Sequence, residues 1–279
     1  MTPSLRCGRE GSHARAASDV TGPAGVLALV LAECVVGGAA FLFLTPLWNE
    51  VRRGFFKLTG TLLLGLGAAT WASIGAAREP GVGLGQAAWW LAAAFGALTA
   101  AWLLALFARR EAVARIGGFL SVPTAVALLV PLAATSDESH VVSLLQLLAG
   151  AAFMGAVLDG LLLGHWYLTD RGLSRRPINL FAIALIAAVV LEAAAVIAGG
   201  FGPVPSGPTF NPLLTRAGLA SWVAIGMVAV TALIAVMIRL TLKGPRPTAV
   251  QAATGFFYLA VITAFAGELA AKVRFLPST

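Results

Sequence analysis

The sequence is poor in charge: Asp, Glu, Lys and Arg make up 11% of its 279 residues, against 59% hydrophobic residues. A water-soluble surface takes about a quarter of charged residues, so a soluble globular domain is excluded. Histidine is rarer still, with only His13, His140 and His165, and no two of them share an apolar run. A di-haem four-helix cytochrome b is thereby excluded, and histidine-ligated haem of any kind has little support. Cysteine occurs twice, Cys7 in a polar tail and Cys34 within an apolar run. Such different surroundings argue against a disulfide or a thiol relay. Also missing are HExxH, a P-loop, GxSxG and the Asp-rich motif of prenyl-transferring membrane enzymes, which leaves no catalytic residue and no metal ligand to nominate. A non-catalytic membrane subunit or a transporter is expected before a stand-alone enzyme.

What the chain has instead is eight apolar runs, at 24–47, 57–77, 86–108, 116–135, 141–168, 178–200, 217–241 and 248–271, with a mean hydropathy of +0.89. Each is long enough to cross about 30 Å of hydrocarbon as a helix. The predicted fold class is therefore all-α, a polytopic integral membrane protein of eight transmembrane helices surrounded by a lipid bilayer. The first run is too long for a signal-peptide core and reads as a retained span.

The net charge of +7 does not point to nucleic acid, because the basic residues sit in short connections between runs. Connections after the first, third, fifth and seventh runs carry Arg52, Arg53, Lys57, Arg109, Arg110, Arg115, Arg171, Arg175, Arg176, Lys243 and Arg246, with Arg239 close by. The opposite side has fewer, among them Lys272 in a short tail, and its 136–140 connection is acidic. The positive-inside rule then predicts both termini outside the cytoplasm, in a bacterial inner membrane. Four prolines between residues 201 and 216 predict a stiff outer connection, by itself a way to span two helix ends or a cap over a site.

Trp48-Asn-Glu-Val-Arg-Arg53-Gly54 and Trp166-Tyr-Leu-Thr-Asp-Arg171-Gly172 share the pattern Trp-x4-Arg-Gly at an offset of 118 residues. A common membrane exit signal explains it blandly, with tryptophan at the interface and arginine at the headgroups. A parallel duplication explains it too, and divides the chain into a polar tail 1–23, a four-helix half 24–135, a second half 141–271 and a tail 272–279. Gly37, Gly38, Gly160 and Gly164 are placed for close helix packing, the last two as a GxxxG, and Pro46, Pro123 and Pro131 for kinks.

Four acids fall inside the runs: Glu33, Asp159, Glu192 and Glu268. An acid at the bilayer centre costs about 2.5–3.5 kcal/mol on insertion scales, so such groups face a protein interior or a watery cavity. Glu33, Glu192 and Glu268 fall in the outer half, Asp159 in the inner half with His165 near that interface, an arrangement like two ends of a proton path. Asp159 and His165 lie about 120° apart around a helix and do not share one face. Lysine and arginine are expected at ends and in loops, leaving these acids without a basic partner in a span. Proton transfer and interhelical hydrogen bonding both suit that placement.

The stretch Glu33-Cys-Val-Val-Gly37-Gly38-Ala-Ala-Phe-Leu, with eight spans in two halves and no haem ligands, resembles the NrfD/DmsC-type quinol-interacting subunits. That resemblance implies a quinol pocket near the outer half of the first bundle, with quinone as a non-covalent ligand and an iron–sulfur or cytochrome subunit docked alongside. It carries over to Glu33, Gly37 and Gly38 alone. Two other readings stay open: a secondary transporter of a small solute or ion, favoured by duplicated halves and midplane acids, and a structural or assembly subunit whose acids join helices.

Overall fold

The computed structural model of the chain describes residues 20, 22–44, 47–78, 83–136, 138–170, 172–201, 219–244 and 248–275. The proline-rich connection, Arg171 and the side chain of Trp48 lie outside the described residues. Lipid offers the backbone no hydrogen-bond partners, so each apolar run closes its bonds internally as a helix. The helices are α1 (Gly22–Leu44), the single turn α2 (Leu47–Glu50), α3 (Arg53–Ala77), α4 (Gly83–Phe107), α5 (Glu111–Ala133), α6 (His140–Thr169), α7 (Arg176–Ala198), α8 (Leu219–Leu242) and α9 (Ala249–Phe275). All but α2 are long and apolar enough to cross a membrane, which makes this a multi-pass, all-α membrane protein.

Local sequence sets the ends. Ser139 caps α6 by accepting from the Val142 amide, and a proline in the first turn opens α7, where a missing N–H costs nothing. Pro123 and Pro131 sit inside α5, which continues through both. Helix α1 ends at Leu44 and α2 begins at Leu47; Pro46, expected to kink the first span, lies outside the described residues.

The helices pack as two rings of four. In the first, α1 touches α3 and α5 while α4 touches both of those; in the second, α6 touches α7 and α9 while α8 touches both of those. The rings meet where α1 lies against α6, flanked by α1 on α9 and α5 on α6. Helix α1 is the centre: 83% of its spanning window is buried, against 28–50% for the other seven spans. Its sequence permits this because it is apolar all round, with no polar stripe to present to water.

The α1–α6 crossing is a close one. Gly37 and Gly155 stand backbone to backbone, and a β-carbon on either would strike the partner helix's main chain. The two glycines are separated by the same 118 residues as the Trp-x4-Arg-Gly copies. Gly54 of the first copy holds the Trp166 ring of the second. Of the other glycines, Gly160 admits the Phe257 ring and Gly164 admits Thr254, drawing α6 against α9.

We call the face where α1 starts the amino-terminal face and the other the basic face. On the basic face Arg52 pairs with Asp170 at 3.2 Å, Arg176 with Glu50 at 3.3 Å, and Arg53 with Glu111. The first two link the rings. With Arg52 and Arg176 about four-fifths exposed, each pair contributes no more than about 1 kcal/mol.

The crossing generates a test. Gly37→Ala or Gly155→Ala should destabilise the protein by about 1–3 kcal/mol through overpacking, seen as a lower melting temperature in detergent. Gly65→Ala and Gly226→Ala, where an added methyl meets open space, should leave it unchanged.

Candidate functional site

Three of the four intramembrane acids come together. Glu33 from α1, Glu192 from α7 and Glu268 from α9 are 0%, 1% and 1% exposed, and Lys272 of α9, at 3%, is buried with them. The Lys272 Nζ lies 2.8 Å from Glu33 Oε1 and 3.1 Å from Glu268 Oε2. Glu268 and Lys272 are four residues apart, one helical turn, so α9 presents both to the same neighbour. Helix α6 makes space for the Glu33 carboxyl by having glycine at position 150; a β-carbon there would run into it.

This corrects two sequence-based expectations. The acids do have a basic partner inside a span, and residue 272 does not open a polar tail. Helix α9 continues to Phe275, because an ammonium held by two carboxylates is tolerated where a lone one is not. Lys272, placed by sequence in a short tail, stands at the centre of the cluster.

Three carboxylates against one ammonium leave a formal excess of two negative charges in a place shielded from water. Such an excess is costly unless protons or cations offset it. Glu192 carries the imbalance. Its charged neighbours are Glu268 and Lys272, and its Oε2 meets no hydrogen-bond donor among the described residues.

A cavity of about 60 Å³ reaches this carboxyl. Its walls include Glu138, Gln146, Glu192, Gly199, Ser221 and Lys272. Glu138 precedes α6 and Gly199 ends α7, so the cavity opens toward the amino-terminal face. One water needs roughly 10–15 Å³ by this kind of measure, so the space suits a few waters or a small ion. Ser221 donates to the Gly200 carbonyl at 3.0 Å, which fixes its oxygen at the wall.

Asp159 is elsewhere. It lies on α6 one turn past Gly155 toward the basic face, while Glu33 lies one turn before Gly37 on the other side. The two acids are thus about 12 Å apart along the seam at 1.5 Å per residue. Asp159 is 1% exposed, its Oδ2 has no partner among the described residues, and its Oδ1 lies 3.8 Å from where a Gly38 β-carbon would stand. His165 is exposed on the outer surface of α6 and does not join it. Sequence reading missed Lys272, Gly150, Gln146 and Ser221. The Glu268-x3-Lys272 spacing was the available signal for the first; for the others only the fold brings the helices together. Among the described residues no group of three or more His, Cys, Asp or Glu side chains is placed to hold a metal ion.

Lys272→Met should be strongly destabilising, by about 3–5 kcal/mol, because it strands two buried carboxylates. Adding Glu33→Gln to Lys272→Met should recover part of the loss, whereas Arg52→Ala on the surface should cost under about 1 kcal/mol. Melting temperatures of the four proteins decide; equal losses for Lys272→Met and Arg52→Ala would mean the cluster does not hold α9 to α1.

Compared with family models, with curated proteins and with solved structures, the chain finds no match.

Proposed function

We propose that this is a proton-linked membrane protein of the secondary-transporter kind, whose Glu33–Glu192–Glu268–Lys272 cluster takes up and releases protons through the cavity on the amino-terminal face. The observation that carries the reading is the uncompensated charge: two acids more than the one lysine balances, beside space for water. An assembly subunit needs buried acids only as satisfied interhelical bonds, and Glu192 Oε2 meets no donor among the described residues. The paired rings, with Gly37 against Gly155 at the offset of the Trp-x4-Arg-Gly copies, support a parallel duplication of two halves, a common basis for alternating access.

The basic connections support an orientation with the amino-terminal face outside a bacterial inner membrane. Counted along the sequence with Lys272 assigned to its span, twelve lysines and arginines fall in or beside the connections after the first, third, fifth and seventh spans and six elsewhere.

A quinol-linked anchor, as the resemblance to NrfD/DmsC-type subunits implies, is the second reading. It is favoured by a groove of about 320 Å³ lined by Leu47, Glu50, Arg176, Asn179, Leu180 and Ile183, within the size range of small-molecule sites. That groove lies at the basic face between α2 and α7, whereas the resemblance implies the outer half of the first bundle. The cavity beside Glu192 is several times too small for a quinol ring.

A pH jump on the purified protein, followed with an indicator dye, tests the proposal. As pH falls, Glu192→Gln should take up about one proton per chain fewer than wild type, because one acid of the cluster is gone. Glu33→Gln should also reduce uptake, and Gly65→Ala, where an added methyl meets open space, should not. Identical traces for wild type and both Gln variants would remove the proton-linked reading.

Orientation has its own check. An impermeant maleimide applied to intact cells should label Cys7, ahead of α1, while Cys34 is buried. Labelling of Cys7 only after lysis would invert the assignment of faces.

A further inference from the structure

The excess charge of the cluster is two, but only one proton is needed between the facing Glu192 and Glu268 carboxyls to join them. We propose that the cavity beside Glu192 binds one small monovalent cation in exchange for a proton, with Glu192 as its charged ligand and Ser221 and Gln146 as neutral ones. This deepens the proton-linked reading and rests on it.

Three observations carry it. Glu192 is 1% exposed, lines the cavity and has an oxygen that meets no donor among the described residues. The cavity, at about 60 Å³, has room for a bare or partly hydrated small ion and has the Ser221 hydroxyl and the Gln146 side-chain amide among its lining groups. The cluster already holds a monovalent cation of its own, since the Lys272 ammonium sits 2.8 and 3.1 Å from oxygens of Glu33 and Glu268. Lys272 lines the same cavity, and the Glu192 carboxylate beside it is left to an ion from solution. Among the described residues no three His, Cys, Asp or Glu side chains are placed to hold a metal ion, and the lining brings the Lys272 ammonium as well as the Glu192 and Glu138 carboxyls to the cavity, so a single positive charge suits it better than a multivalent one.

The exchange is electrically balanced. The cation enters from the amino-terminal face and sits at the Glu192 carboxylate; the proton shared by Glu192 and Glu268 leaves into the cavity water and out by the same opening. The charged and titratable groups facing Glu192 are Glu268 and Lys272 of α9, with Glu33 and Cys34 of α1 behind them and Glu138 at the mouth. Helices α6 and α8 contribute Gln146 and Ser221 to the cavity, which do not titrate.

The test adds sodium, potassium or ammonium chloride to the purified full chain in weak buffer, against N-methylglucamine chloride at the same ionic strength. At least one small cation should release about one proton per chain, saturably, and raise the melting temperature, since a ligand bound by the native state stabilises it. Both effects should vanish in Glu192→Gln, and Ser221→Ala should shift half-saturation to higher salt, which serves if the Gln variant does not fold. Traces no different from N-methylglucamine, or unaltered by Ser221→Ala and Glu192→Gln, overturn the cation site. If pH-jump proton uptake persists in that case, the proton-linked reading stands without it; if uptake is absent too, both readings fall.

Discussion

A lysine ammonium held between two buried carboxylates is the interaction on which the interior of this protein depends. Lys272 and Glu268 belong to the last helix and Glu33 to the first, so one ion ties the two ends of the chain together inside the membrane. Without the lysine, the acids would face a medium that rejects their charge. Without the acids, the last helix would have to end before residue 272 or carry its ammonium to an interface. The third acid, Glu192, is what turns a structural brace into a site: it adds a charge that the lysine does not balance and places it at a cavity.

The seam between the two rings gives this cluster its surroundings. Glycines at 37 and 155 let α1 and α6 approach to main-chain contact, and Gly150 one turn away leaves the volume that the Glu33 carboxyl fills. Beyond the crossing the same seam holds Asp159 alone. The tight contact thus divides the membrane interior into a charged compartment near the amino-terminal face and a single acid toward the basic face.

Much of this was legible in the residues. Eight spans follow from composition alone, and the run boundaries fall within a few residues of the helices. The buried state of Glu33, Asp159, Glu192 and Glu268 follows from their neighbours, and the 120° phase difference already separated Asp159 from His165, which the fold leaves exposed. Lys272 was misjudged because a charge at the edge of an apolar run looks like its end, although the turn from Glu268 to Lys272 is the spacing of a helical ion pair. That Glu33 meets Lys272, 239 residues later, is a matter of how the rings dock, and no local pattern encodes it. The same holds for the cavity, whose walls come from α6, α7, α8 and α9.

The central claim is that Glu192 and its partners bind protons in the folded protein. Infrared difference spectroscopy of the reconstituted protein across a pH step reads protonated carboxyl groups directly. The account predicts a carbonyl-stretch signal from buried carboxylic acid that grows as pH falls and is diminished in Glu192→Gln. A spectrum with no carboxylic acid signal at any pH, or one left intact by that substitution, would contradict it.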